Sequence, residues 1–399
     1  MSLRGAAKRR RGNPVFEGYL RLPHGAQGAT RNDIYNFDIG QLRRISFYFS
    51  LISFFFFLSC VPAKSLSPSS FPSIPAFYVF RLNPPALVEL SSDYKPTYEI
   101  PITIPAGCSL DNLFQSPRGA YLAMELSCSF GQTVVWVNTD TGEVKQAYTD
   151  SDSHFLAWAN DGQTIYLKVD SIGNPHIVRV NVNGNQDFVP VTALTYDIAP
   201  SPDSENFTFT FSRGLGLGSE IWLAQYGGNI VKQLQADRNN ILSFVRWSPD
   251  GKQMAFIKIP DSQTPFAVGE LWVMNADGSN AHKLADADAG HGFPPAWSPD
   301  GKRIAFVVRE NPQDANADQS PDALRSNIYV VDINAGKMTQ LTHLDNARVE
   351  APAWSPDGKE IAFTAFLNDK MNVYLADTTS DLTQTVSPGS ACCPVWTRK

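Results

Sequence analysis

Alternating oxygen-bearing side chains in one acidic segment are the residues best placed for metal chemistry. The set is Asp314, Asn316, Asp318 and Asp322. Alternate residues of a tight loop can turn their oxygens inward, so this spacing copies the first ligands of a calcium loop. The segment lacks that loop's glycine at Gln319 and has Arg325 in place of its bidentate glutamate. A calcium site and a solvated acidic loop are both open, and no other cofactor is predicted.

A shorter acidic group, Asp286, Asp288 and His291, is open to the same two interpretations, metal binding or solvation. The other histidines considered have no partner that the sequence identifies, so we expect ordinary loop residues. They are His154, His176, His282 and His343.

The cysteines favour an oxidising compartment. Cys108 and Cys128 lie at nearly equal distances on either side of the turn at residues 116–119, which places them opposite each other on neighbouring strands. We therefore expect a disulfide between them. Cys392 and Cys393 are adjacent and could pair with each other or elsewhere.

Catalytic signatures are missing from the sequence. It contains no Gly-x-Ser-x-Gly, no His-Glu-x-x-His, no P-loop and no Cys-x-x-Cys. The glycine-rich segment 214–218 suggests a phosphate loop, but it joins two predicted strands rather than a strand and a helix. The formal net charge of -6 argues against a nucleic-acid-binding surface.

A repeated turn organises the predicted elements. Trp-Ser-Pro-Asp-Gly-Lys occurs at 247–252, 297–302 and 354–359, and each copy leads into a short apolar run. Serine, proline, aspartate and glycine fit the successive positions of a β-turn. The tryptophan position recurs at intervals of 42 to 57 residues, at Gln115, Trp158, Pro200, Trp247, Trp297, Trp354 and Trp396. Four strands per interval are typical of a propeller blade, in which these tryptophans pack between blades.

The repeat resembles that of the TolB-like β-propeller family, which also occurs in the propellers of prolyl-oligopeptidase-type enzymes. The resemblance covers residues 76–399 and implies a propeller, protein binding and, where a signal is present, an exported location. The three N-terminal runs 76–82, 86–93 and 97–103 would complete a blade with the C-terminal strand 391–396. The prediction is an all-β propeller of seven four-stranded blades, or six if the first two runs are irregular.

The N-terminal region predicts export. Residues 1–44 are polar and basic, either disordered or preceding the true start, and residues 45–58 carry no charge. The end of the segment, at Cys60, resembles the lipobox of bacterial lipoproteins, which implies lipidation of Cys60. Residues 45–60 therefore predict a signal, a lipoprotein segment or an uncleaved anchor. Residues 61–75, rich in serine and proline, predict a flexible tether.

Loop length separates the two faces of the predicted ring. If the four strands of each predicted blade are named a to d along the repeat, the a–b and c–d turns are short. The b–c and d–a loops vary in length, at 213–220, 260–269, 285–292 and 310–326. Arg213, Asp286, Asp288 and His291 are therefore candidate binding-face residues. We expect a non-catalytic envelope propeller, periplasmic or at the cell surface, that binds a protein or glycan. The alternatives are a hydrolase or lyase with a site in the central funnel, and a prolyl-oligopeptidase-related module without its hydrolase domain.

Overall fold

The computed structural model describes residues 77–396 except 119–120, 130, 150–151, 172–173, 289–292, 381 and 388. The predictions for residues 1–44, 45–60 and 61–75, including Cys60, lie outside the described residues. Within the described ranges, no helix has the length and apolar character needed to cross a bilayer. One 3-10 turn, Pro321–Ala323, is present, and these ranges contain no α-helix.

In the described part of the chain, 28 strands form seven antiparallel four-stranded sheets, which confirms the predicted seven-bladed propeller. In every blade, strand a is innermost and strand d outermost. Blade 1 contains, from a to d, β28 (Ala391–Trp396), β1 (Phe77–Leu82), β2 (Pro85–Leu90) and β3 (Pro96–Pro101). Blade 2 contains β4 (Cys108–Gln115), β5 (Tyr121–Cys128), β6 (Gly131–Asn138) and β7 (Val144–Gln146). Blade 3 contains β8 (Ser153–Trp158), β9 (Thr164–Val169), β10 (His176–Asn181) and β11 (Gln186–Val189).

The remaining four blades are each continuous in sequence. Blade 4 contains β12 (Thr195–Pro200), β13 (Asn206–Ser212), β14 (Ser219–Gln225) and β15 (Ile230–Asp237). Blade 5 contains β16 (Asn240–Trp247), β17 (Gln253–Pro260), β18 (Val268–Asn275) and β19 (His282–Asp288). Blade 6 contains β20 (Ala296–Trp297), β21 (Arg303–Arg309), β22 (Ser326–Asp332) and β23 (Met338–Gln340). Blade 7 contains β24 (Arg348–Trp354), β25 (Glu360–Leu367), β26 (Lys370–Asp377) and β27 (Thr383–Thr385).

Blade 1 joins the two ends of the described chain. Strand β28 pairs antiparallel with β1, and the register sets Trp396 against Phe77 and Ala391 against Arg81. The rings of Phe77 and Trp396 stack with their centroids 4.3 Å apart. The innermost strand of this blade therefore comes from the C-terminal end and the other three from the N-terminal end.

The repeated turn is built as the residue types predict. In blade 5, the Ser248 hydroxyl donates to Oδ1 of Asp250 (2.7 Å) and accepts from the backbone N–H of Gln253 (3.0 Å). Gly251 has φ +70°, in the left-handed region that glycine adopts without steric cost. The same serine–aspartate bond recurs in blades 6 and 7. This closed turn holds each a–b connection short.

In four blades, the tryptophan at the repeat position ties the blade to the one before it. The indole N–H of Trp247 donates to the carbonyl of Ala199 (3.0 Å), on the innermost strand of blade 4. Trp158, Trp297 and Trp354 donate in the same way to Phe114, Arg246 and Ala296. Apolar side chains fill the space between the sheets, as where blade 6 packs on blade 7. The core is thus distributed between neighbouring blades.

Candidate functional site

The longest connection on the long-loop face, defined by the b–c and d–a loops, is organised by one buried arginine. Arg309 ends β21, and only 1% of its side chain is exposed. Its guanidinium donates to the carbonyls of Asn311 (3.1 Å), Phe266 (2.9 Å) and Asp314 (2.9 Å), and to the carboxylate of Asp318 (2.8 Å). A guanidinium has fixed donor directions, so these bonds define the path of the 310–325 loop.

The predicted calcium ligands do not converge in this loop. The Asp318 carboxylate accepts from Arg309, and the Asp314 carboxylate accepts from the backbone N–H of Asn316 (2.9 Å). Asp322 lies 3.7 Å from the guanidinium of Arg348. Across the described ranges, no three His, Cys, Asp or Glu side chains group in a way that could hold a metal ion. Calcium binding stays a prediction, and a melting midpoint that a chelator leaves unchanged would rule it out.

Contacts on both sides fix the 310–325 loop to its neighbours. The carbonyl of Asp318 accepts from the backbone N–H of Phe266 (3.2 Å), in the b–c loop of blade 5. On the other side, Arg348 of β24 donates to the carbonyl of Pro321 (3.1 Å) and to Glu350 (3.0 Å). The loop therefore bridges blades 5, 6 and 7 on the long-loop face.

The other candidate binding residues are held within their own blades. Arg213 pairs with Glu220 in blade 4, and Asp286 pairs with Lys283 (2.6 Å) in blade 5. The prediction that segment 285–292 is a loop is wrong at its start, because β19 continues to Asp288, which pairs with Val268. Asp288 is only 4% exposed, since this end of the outer strand is covered. His291 lies outside the described residues.

The structure contains a charged cluster between blades 2 and 3 that the sequence did not predict. His154, in β8, has Nδ1 3.5 Å from Glu125 of β5 and Nε2 3.6 Å from Asp170. Lys168 also pairs with Asp170 (2.9 Å). Burial alone would lower the pKa of His154, but the two carboxylates outweigh it and the pKa is raised. His154 therefore lies on a strand and links two blades. The sequence did not indicate this contact, because the partners of His154 are distant in sequence.

Comparison with known proteins identifies the repeats. Residues 212–397 match the sequence model of the TolB beta propeller domain. This part of the chain is therefore similar to TolB propeller repeats. No curated protein sequence matches the chain.

The chain is similar to several solved structures at low sequence identity. TolB from Acinetobacter baumannii is 18% identical, with 79% of each chain covered and a TM-score of 0.46. An oligogalacturonate lyase from Vibrio parahaemolyticus is 16% identical, with 73% of this chain and 83% of the lyase covered and a TM-score of 0.51. A puromycin-hydrolyzing peptidase of Mycobacterium tuberculosis is 14% identical, with 79% of this chain but only 53% of the peptidase covered and a TM-score of 0.53. At these identities the likeness concerns the fold alone.

The described residues contain two disulfides. Cys108 and Cys128 are bonded across β4 and β5, where they are register partners. Cys392 and Cys393 are bonded to each other in β28, one of the two arrangements that the sequence left open. The first bond crosses the two strands of blade 2 at the long-loop face.

Two clefts open on the opposite face, among the a–b and c–d turns. One, of about 540 Å³, lies between blades 4 and 5 beside Trp247. A second, of about 290 Å³, lies among the turns of blades 3 and 4 beside Arg179 and Tyr226. Loop length alone predicted binding on the long-loop face. Clefts between the short turns of adjacent blades cannot be predicted from loop length.

Proposed function

We propose that this TolB-like propeller is a non-catalytic, exported scaffold that binds a protein or glycan through its b–c and d–a loops. The arginine-organised 310–325 loop is the observation that carries the proposal. Arg309 donates to the loop carbonyls of Asn311 and Asp314 and to the Asp318 carboxylate, and further contacts join the loop to blades 5 and 7. A surface already fixed in shape loses less conformational entropy on binding than a free loop does.

The exposed side chains of this loop suit polar recognition. Gln313, Asn316, Gln319 and Asp322 are exposed, whereas Ala317 and Leu324 are buried beneath them. Amide and carboxylate groups on a rigid backbone can donate and accept hydrogen bonds in fixed directions. Protein backbones and sugar hydroxyls both offer complementary groups, which is why the proposal includes both ligand classes.

The geometry of His154 supports a non-catalytic role. A histidine acting as general base needs one ring nitrogen directed at the substrate. Both ring nitrogens of His154 face carboxylates instead, at 3.5 and 3.6 Å. The residue best equipped for acid–base chemistry in this cluster is thus engaged in an ion-pair network between blades.

The Cys108–Cys128 disulfide supports export, since such bonds persist in oxidising compartments. The proposed tether is residues 45–60, with Cys60 as the lipidation site. Metabolic labelling with an alkyne fatty acid should mark the wild-type protein in the membrane fraction and leave Cys60→Ser unlabelled. A wild-type protein that stays unlabelled in the cytosolic fraction would contradict both export and tethering.

Binding by the long-loop face is tested with two sets of surface variants. The first, Gln313→Ala/Asn316→Ala/Gln319→Ala, alters the exposed loop and leaves the Arg309 contacts intact. The matched control, Asn183→Ala/Gln186→Ala, alters exposed side chains of a c–d turn on the opposite face. Partners captured from solubilised envelope and signals on a glycan array should fall at least about five-fold for the first set only, as expected for loss of about 1 kcal/mol. Equal capture by both sets would show that the loop is not the binding surface.

A further inference from the structure

The cleft between blades 4 and 5 has an aromatic and proline floor with an acidic rim. Pro202, Trp247 and Pro249 supply the apolar surface, and Asp203 and Asp250 stand at its edge. Its volume of about 540 Å³ is enough to hold the side chain of another molecule. We refer to this space as the blade 4/5 cleft.

The equivalent space between blades 6 and 7 is filled by an arginine of the chain itself. Arg303 places its guanidinium 4.6 Å from the ring centroid of Trp354. Its Nη2 also donates to the carbonyl of Gly358 (3.2 Å). Arg303 is the first residue of β21, directly after the repeated turn of its blade. The interblade space between these turns is therefore shaped to take a stacked guanidinium.

Blade 4 has a short side chain at the corresponding position. Asn206 is the first residue of β13, as Arg303 is of β21, and it lines the blade 4/5 cleft. Trp247 occupies the place that Trp354 has in blade 7, since both end the innermost strand before the turn. The amide of Asn206 is too short to stack on this ring as Arg303 does. The aromatic floor is thus present in the cleft without its guanidinium.

Charge around the blade 4/5 cleft favours a cation. Asp203, Asp250 and Asp277 line it together with Lys232, and Lys252 lies 3.5 Å from the Asp250 carboxylate, so three carboxylates face two ammonium groups. Hydrogen bonds from turn serines lower the pKa of all three carboxyl groups, so they are ionised at neutral pH. In addition, the blade 4 turn has Glu205 where the full repeats have lysine, which removes a competing positive charge.

We propose that the blade 4/5 cleft binds an arginine side chain of a partner polypeptide. The guanidinium would stack on Trp247 as Arg303 stacks on Trp354, with Asp203 and Asp250 compensating its charge. Arginine is favoured over lysine because a planar, weakly hydrated cation combines stacking with directed hydrogen bonds. This is a second binding surface, on the face opposite to the loops of the proposed function.

The test uses blocked arginine, N-acetyl-arginine-amide, and its neutral analogue N-acetyl-citrulline-amide. With ¹⁵N-tryptophan labelling, the indole signal of Trp247, assigned with Trp247→Phe, should shift saturably with arginine in the millimolar range. Citrulline should bind at least about five-fold more weakly, since it lacks the charge. Asp203→Asn/Asp250→Asn should weaken arginine binding about five-fold or more. Asp300→Asn/Asp357→Asn, the same change in the turns of blades 6 and 7, should leave it unchanged.

Filling the cleft from within provides a second, independent measurement. Asn206→Arg should place a guanidinium over Trp247, abolish the response to arginine and leave the melting temperature unchanged or raised. Arg303→Asn should open the blade 6/7 space and create a new saturable shift at Trp354. The proposal is overturned if wild-type protein gives no saturable shift at tens of millimolar arginine. It is equally overturned if folded Asn206→Arg responds like wild type.

Discussion

Replacing Arg309 with alanine is the sharpest test of how the long-loop face is built. The side chain is 1% exposed and donates four hydrogen bonds that hold the 310–325 loop on blades 5 and 6. Its loss leaves the Asp318 carboxylate without its cation and three backbone carbonyls without this donor. The loop should be held less firmly on the propeller surface, because its remaining anchors are the bonds to Phe266 and Arg348 and the buried side chains of Ala317 and Leu324.

The size of the effect follows from burial. Removing one member of a buried ion pair costs about 3 to 5 kcal/mol. The Asp318 side chain is 35% exposed and can be rehydrated, so the low end, about 3 kcal/mol, applies. At about 2.1 cal/mol/K per residue over roughly 320 residues, this free energy lowers the melting temperature by about 4 °C.

Thermal melts and amide hydrogen exchange of the loop measure the two consequences separately. Arg213→Ala is the matched control, because Arg213 also pairs with a carboxylate beside a b–c loop but its side chain is 59% exposed. Its loss should cost less than about 1 kcal/mol. Arg309→Lys keeps the charge without the planar fork and should fall between the two. The reasoning is refuted if Arg309→Ala melts within about 1 °C of wild type, where about 4 °C is expected, and the loop keeps its protection from exchange.

Four further variants test other contacts. The raised pKa of His154 stabilises the folded protein. This stabilisation is complete below the pKa of the unfolded chain, about 6.5, and is lost as the pH rises through the pKa of the folded protein. His154→Gln should therefore lower the melting temperature at pH 5.5 but not at pH 9. Trp354→Phe removes an indole hydrogen bond and should cost about 1 kcal/mol in urea unfolding. Trp396→Phe should cost less, because the buried N–H of Trp396 has no partner; equal losses would contradict this account. Cys108→Ser/Cys128→Ser opens a loop with a sequence separation of 20 residues and should cost about 3 kcal/mol, and dithiothreitol should bring wild type close to the double variant.

The fold was predictable because its determinants are local and repeated. A serine–aspartate turn closed by glycine needs only residues within six positions of one another, and it occurs in nearly the same form in three blades. The interval between copies then counts the blades, and the unmatched strands at the two ends complete the last one.

The sites were less predictable because their partners are remote in sequence. Arg309 reaches Phe266 in another blade, and Glu125 meets His154 across a blade interface. Nothing in the spacing of the acidic residues near Asp318 showed that an arginine would occupy the centre of their loop. A pattern of possible ligands identifies oxygen atoms, whereas the fold decides which cation they meet.

Departures from the repeat carry information that the repeat itself does not. The turn and the tryptophan have the same geometry in several blades, so the spaces beside these turns can be compared with one another. In the two spaces compared, the difference lies at the first residue of the following strand. Arg303 fills its space from within the chain, whereas Asn206 leaves the blade 4/5 cleft unfilled with carboxylates around it. If the cleft were only a packing defect, Asn206→Arg would stabilise the protein without changing any response to arginine. The paired measurement of stability and binding on that one variant therefore separates a recognition site from an imperfection of the ring.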